Sequence, residues 1–139
     1  MTGQKTKKCN VVRLVIATVA LLFGALTIKS GGDVLFWSEE ARIAAGNYVP
    51  FVLWFNFVSG FFYMIVGIAL YMRQPWAVYA SAAILLGIMT VFLALGLSIY
   101  IADIAYETRT IAAMTLRTVV WAVITLLSYK VFQHQRSDI

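Results

Sequence analysis

"WAVYASAAILLGIMTVFLALGLSIYIA", residues 76–102, contains no Asp, Glu, Lys, Arg or His. As an α-helix this run reaches roughly 40 Å, and about 20 apolar residues suffice to cross a hydrocarbon core about 30 Å thick. A helix in a soluble bundle would show a polar stripe. This one is apolar on every face and reads as a membrane span. Three more apolar runs flank it, at 11–28, 49–72 and 111–132. The chain of 139 residues is 62% hydrophobic and only 12% charged, against about 25% charged in a typical soluble domain. Too little polar surface remains to coat a water-facing globule. The expectation is an all-α membrane protein, a single domain over residues 1–139 with four transmembrane helices.

Short connections favour an antiparallel up-down bundle. "RQPWA", residues 73–77, is a tight turn in which Pro75 opens the third span, where a missing N–H is harmless; Pro50 does the same for the second. Gly31-Gly32 is expected to end the first helix. The longest connection carries an interfacial segment at about 33–46, with Val34, Leu35, Phe36 and Trp37 ahead of Ser38, Glu39, Glu40 and Arg42. Ser38 has the form of an N-cap followed by first-turn acids, and Gly46-Asn47 that of a helix end. This segment should lie along the membrane surface, as a covering loop or as a lid. Ala20-x-x-x-Gly24 and Ala83-x-x-x-Gly87 are small-residue seams that permit close helix approach.

The formal charge of +5 does not point to nucleic acid, because the basic residues gather at the ends of spans. Lys5, Lys7, Lys8 and Arg13 at the amino end share a side with Arg73, Lys130 and Arg136. They outnumber Lys29, Arg42 and Arg109 on the other side; Arg117 falls within a span. The acids Asp33, Glu39, Glu40, Asp103 and Glu107 collect opposite the termini, and only Asp138 lies with them. By the positive-inside rule both termini face the cytoplasm. Phe36, Trp37, Tyr48, Tyr100 and Tyr106 fit an outer interfacial belt, and Tyr71, Trp76, Tyr79 and Tyr129 an inner one. The basic start and first apolar run also have the shape of a secretory signal peptide, but no A-x-A site follows, so a retained helix is preferred.

"AMTLRTVVW", residues 113–121, places Arg117 inside the fourth span, roughly 10 Å from its external end. Asn56 lies roughly 12 Å down the second span from the same side. At matching depth the amide carbonyl offers the guanidinium an acceptor, and polar side chains there face the bundle interior. Ser59, within a turn of Asn56, and Ser98, in the outer part of the third span, complete a candidate polar pocket of Asn56, Ser59, Ser98 and Arg117. Asp103 and Glu107 are boundary acids toward which the guanidinium could reach; Tyr63 and Trp121 are candidate walls. Two structural roles compete with a pocket: Arg117 snorkelling to the headgroups, or an Arg–Asn pair locking helix register. The functional reading is an outward-opening pocket, positive at its base, suited to an anionic headgroup, a quinone carbonyl or a small anion.

One Cys and one His exclude an intrachain disulfide, a bis-His haem and a tetrahedral zinc site within the chain. No carboxylate lies deep in a span, which argues against proton-coupled transport. Triad, phosphate-loop and metal-hydrolase motifs are absent. No cofactor is evident, and a quinone or a lipid is the class left open.

The stretch "RLVIATVALLFGALTIKSGG", residues 13–32, resembles the first helix of DoxX-like proteins, with Arg13, Gly24 and Lys29 in the positions of an early Arg, a mid-helix Gly and a terminal Lys. "SGFFYMIVGIALYMRQPWA", residues 59–77, is similar to that family's second helix, with Gly67 before an apolar stretch and a basic turn. Members often carry a Glu in this helix, where this chain has Tyr63 or a neighbour. The resemblance covers about half the chain. It implies a small four-helix protein of the bacterial inner membrane with a lipid-soluble partner, and it supplies no catalytic residue. The expected function is a non-catalytic accessory or partner-binding subunit, associating with another membrane protein or with itself. The alternative is a quinone-associated redox or small-anion transport component built on Asn56 and Arg117.

Overall fold

A computed structural model describes residues 2–137. Helix α1 spans Thr2–Gly32 and continues without a break into a π-helical turn, Asp33–Trp37. Then follow α2 (Glu39–Ala45), α3 (Pro50–Tyr71), α4 (Trp76–Ala102) and α5 (Thr108–Ser137). No strand occurs among the described residues. Four helices, α1 with its π turn, α3, α4 and α5, are long and apolar enough to cross a membrane. The chain is an all-α, four-span protein.

The spans form a closed ring. α1 packs most extensively on α3, α4 packs next most on α5, and α1–α5 and α3–α4 contacts complete the circle. Consecutive spans run in opposite directions, so every neighbour in the ring is antiparallel. Both termini and the turn at 72–75 lie at one end of the bundle, here the termini end. The π turn, α2 and the connection at 103–107 lie at the other, the α2 end.

Apolar side chains cover the outside of the bundle as well as its core. Leu22, Leu26, Leu86, Leu93 and Ile101 face outward, whereas Arg13, Thr27, Ser59, Ser81 and Ser128 are buried. In lipid an outward Leu loses nothing, and polar groups gain by turning inward. The Ser81 hydroxyl donates to the Ala77 carbonyl at 2.7 Å and that of Ser128 to the Thr125 carbonyl at 3.0 Å. Both hydroxyl protons are therefore satisfied within their own helices.

The α1–α3 seam is nearly backbone against backbone. A Cβ on Gly24 would stand 2.8 Å from the Gly60 carbonyl oxygen, and one on Gly60 would stand 3.1 Å from the Gly24 oxygen. Ala17 and Ala20 are buried on the same face of α1, so the partner of the Ala20–Gly24 seam is α3. Close approach multiplies dispersion contacts, the main attraction open to helices in a solvent as apolar as themselves.

Gly31-Gly32 does not end α1. Both residues stay helical and buried: Phe57 packs its Cβ and backbone closely against Gly31, and the Trp37 ring lies over Gly32 where a Cβ would collide. Their missing side chains make room for aromatic residues instead of breaking the helix. The helix stops at Ser38, whose extended backbone (φ −139°) turns the chain and whose N–H donates to the Asp33 carbonyl at 2.8 Å, closing the π turn. Phe36 from this turn meets Trp54 and Phe57 of α3 edge-on, with centroids 5.7 and 5.6 Å apart. Ser38 then caps α2 by accepting the Ala41 N–H at 3.0 Å, and Gly46 ends it at φ +63°.

These contacts predict opposite effects for one added methyl at two helical glycines. Gly24→Ala should destabilise by about 1–3 kcal/mol through overpacking against backbone that cannot yield. Gly96→Ala, with nothing within 4 Å of its Cβ, should be neutral or raise stability by up to about 1 kcal/mol. Melting midpoints of the two variants in one mild detergent test the contrast.

Candidate functional site

A cavity of about 520 Å³ opens at the α2 end among α1, α2, α3 and α5. Ala41, Ala44 and Ala45 of α2 lie on one side of it; Asn56 of α3 and Arg117 of α5 line it from opposite helices. The carbonyl oxygen of Asn56 and the Nε of Arg117 are buried and have no hydrogen-bond partner. The amide–guanidinium hydrogen bond expected from matching depth is thus not made. The reason is the ring order: α3 and α5 are diagonal, with α1 and α4 between them.

The diagonal is bridged one level deeper, by larger side chains. Tyr63 of α3 and Trp121 of α5 meet with ring centroids 4.8 Å apart, and Phe23 of α1 joins Tyr63 at 5.9 Å. Arg117 lies one helical turn above Trp121, its guanidinium carbon 6.0 Å from the Phe23 ring centre, a cation–π distance. The Tyr63 hydroxyl stands near Ser59 and the Arg117 guanidinium, in neither case in hydrogen-bonding geometry. Tyr63 and Trp121 are both 0% exposed, and the phenol oxygen and the indole Nε1 also lack partners. From the cavity wall inward, then, the Arg117 Nε, the Tyr63 hydroxyl and the Trp121 Nε1 are three buried donors with no acceptor. Buried polar groups are normally satisfied, so this cluster is unusual.

The remaining candidates separate. Ser59 is buried, but it lines a different, apolar groove of about 480 Å³ between α3 and α4, together with Ala83 and Gly87. Ser98 is half-buried on α4 and does not line the cavity. Asp103 is exposed at the end of α4, its backbone in the left-handed region at φ 49°. Glu107 does line the cavity, yet its carboxylate is occupied elsewhere: Oε1 accepts the Asn47 N–H at 3.0 Å. The one ion pair among the described residues joins Lys29 and Asp33 at 3.0 Å. Arg109 and Arg117, both on the cavity wall, have no carboxylate of their own. The cavity therefore carries unmatched positive charge.

Its roof is attached at both ends. Arg42 donates from Nε to the Val34 carbonyl at 3.3 Å, tying α2 to the π turn, and the Glu107–Asn47 bond holds the chain just beyond α2. Two side chains of these buried clusters escape the sequence reading. Phe23 looks like any apolar residue of a span. Arg13, assigned to the terminal basic cluster, is only 4% exposed, and its Nε and Nη1 find no acceptor. The available signal was spacing: positions 13, 17, 20, 24, 27 and 31 form one buried stripe of α1, the interval of a packing face.

Among the described residues no group of His, Cys, Asp and Glu stands together to hold a metal ion. No family model, curated protein or solved structure matches the chain.

Glu107 is the testable part of the roof. In Glu107→Ala the Asn47 N–H loses its acceptor, and global stability should fall by only about 1 kcal/mol because the bond is solvent-exposed. A cysteine placed at Ala45 should react faster with a water-soluble maleimide in that background. Equal labelling rates would mean that the carboxylate does not hold the roof.

Proposed function

We propose that this chain is a non-catalytic protein of the bacterial inner membrane whose cavity binds a ligand through an anionic oxygen. Its termini face the cytoplasm, as the distribution of Lys and Arg indicates, and the cavity opens on the opposite side. The observation that carries this reading is the pair of buried, unpartnered atoms on the cavity wall, Arg117 Nε and Asn56 Oδ1. A carboxylate or phosphate oxygen would accept from the guanidinium, and Arg109 would add charge near the mouth. An N–H donor to an anion in such a setting is roughly twice as strong as a neutral pair. Asn56 would take a hydroxyl of the same ligand or a bridging water.

A neutral quinone carbonyl is a weaker match, since it would leave the positive charge uncompensated. A redox role would further require a partner subunit to supply electrons. A second reading, an accessory subunit that docks on another membrane protein, is supported by the apolar groove at Ala83 and Gly87, where small residues allow close helix approach. The two roles are compatible, because cavity and groove use different faces.

Decanoate and a short-chain quinone are suitable probes for titration of the purified protein in detergent. Decanoate should bind, and Arg117→Gln should weaken it roughly tenfold or more, as expected for loss of a charged hydrogen bond. Asn56→Leu should have a smaller effect. Helix content by circular dichroism should be unchanged in both variants. Undiminished affinity in Arg117→Gln, or preference for the quinone over decanoate, would refute the anionic-oxygen reading.

A further inference from the structure

At the opposite end of the bundle a second guanidinium is enclosed without a partner. Arg13 is 4% exposed, with Nε and Nη1 buried and unbonded. An arginine cannot shed its charge, so its burial demands a counter-charge or acceptors. Among the described residues no acid lies at the termini end: Asp33, Glu39, Glu40, Asp103 and Glu107 all belong to the α2 end. In the antiparallel α1–α3 packing Gly60 meets Ile28 and Gly67 meets Leu21, a register that brings Arg13 level with the turn after α3, where Arg73 lies. Arg73 is a second cation, exposed, and held in the left-handed region at φ 61°. That conformation is unfavourable for a residue with a Cβ. Two arginines thus stand at one level of the bundle, and no acid among the described residues lies there.

The level of this pair along the bundle indicates what can reach it. Tyr71, Trp76 and Tyr79 are 63%, 47% and 75% exposed around the same end, forming the kind of aromatic belt that marks the boundary between hydrocarbon and headgroups. Lipid phosphates lie at that boundary. At that level Arg73 is exposed and Arg13 is buried. Paired guanidinium forks match the geometry of phosphate oxygens, and basic pockets between helices on the cytoplasmic side are a recurring way of holding anionic headgroups.

We infer that Arg13 and Arg73 form a phosphate-binding site at the termini end of the bundle, occupied by the headgroup phosphate of an anionic phospholipid. This site is independent of the Arg117 cavity and stands or falls separately from the function proposed for it.

The test uses the full chain, delipidated in detergent and titrated by native mass spectrometry with phosphatidylglycerol, phosphatidylcholine and, in a separate arm, inorganic phosphate. Phosphatidylglycerol should bind in preference to phosphatidylcholine. Arg13→Gln should weaken it roughly tenfold or more, and Arg73→Gln several-fold. Should Arg13→Gln fail to fold, Arg13→Lys carries the same test: it keeps the charge but loses the planar fork, and should still bind measurably less tightly. If inorganic phosphate alone binds in an Arg13-dependent way, the phosphate chemistry stands and the source is a free anion. Equal binding of the two lipids with no phosphate effect would overturn the inference. So would a preference for phosphatidylglycerol that survives in the Arg13 and Arg73 variants alike.

Discussion

Everything in this bundle is positioned by the contact of α1 with α3 at Gly24 and Gly60, where backbone meets backbone. With no side chain on either glycine, and with Met64 and Ile28 packed into the space they leave, the two helices set each other's height and rotation. Phe23, adjacent to Gly24, is thereby brought against Tyr63, one turn beyond Gly60. Tyr63 reaches across the diagonal to Trp121, and that aromatic bridge holds α3 and α5 at a fixed separation. Above the bridge the diagonal is left to Asn56 and Arg117, which line the space without closing it. The cavity is a consequence of two glycines some distance below it.

The second constraint is electrostatic. A charge sheltered in hydrocarbon surroundings carries a desolvation penalty that a mutual partner normally offsets. Here neither interior arginine has one. Arg117 has a weak substitute in the Phe23 ring at 6.0 Å, and the Nε and Nη1 of Arg13 have no hydrogen-bond partner. At the α2 end Asp33 pairs with Lys29 and Glu107 accepts the Asn47 N–H, so neither carboxylate is spent on Arg117. Each end of the bundle therefore offers donors to whatever anion the surroundings provide, and the centre between them is filled by aromatic and small apolar side chains.

The spans were legible because length and uniform hydropathy are properties of local sequence; the run at 76–102 needs no tertiary information to be read. Ser38 announced α2 for the same reason, since a cap is a contact three residues long. What sequence could not supply was the ring order. Matching depth suggested that Asn56 and Arg117 would bond, but depth fixes only one of the coordinates, and the helices that carry them are diagonal rather than adjacent. The double glycine at 31–32 misled in a related way. Its breaking tendency is local, whereas Phe57, which packs on Gly31, comes from α3, and Trp37 reaches Gly32 only because the π turn carries it back. Arg13 was obscured by company, standing close to Lys7 and Lys8, although its spacing to Ala17, Ala20 and Gly24 already placed it on the packing face.

The central claim is that the interior guanidinium of α5 is completed by a ligand and not by the protein. An experimental structure of the chain in bromide-containing crystals, with anomalous data, addresses this directly. The account predicts an anomalous peak within hydrogen-bonding distance of Arg117 Nε, inside an open cavity and on the side facing Asn56. A cavity collapsed around a direct Asn56–Arg117 or Glu107–Arg117 hydrogen bond, with no peak nearby, would contradict it.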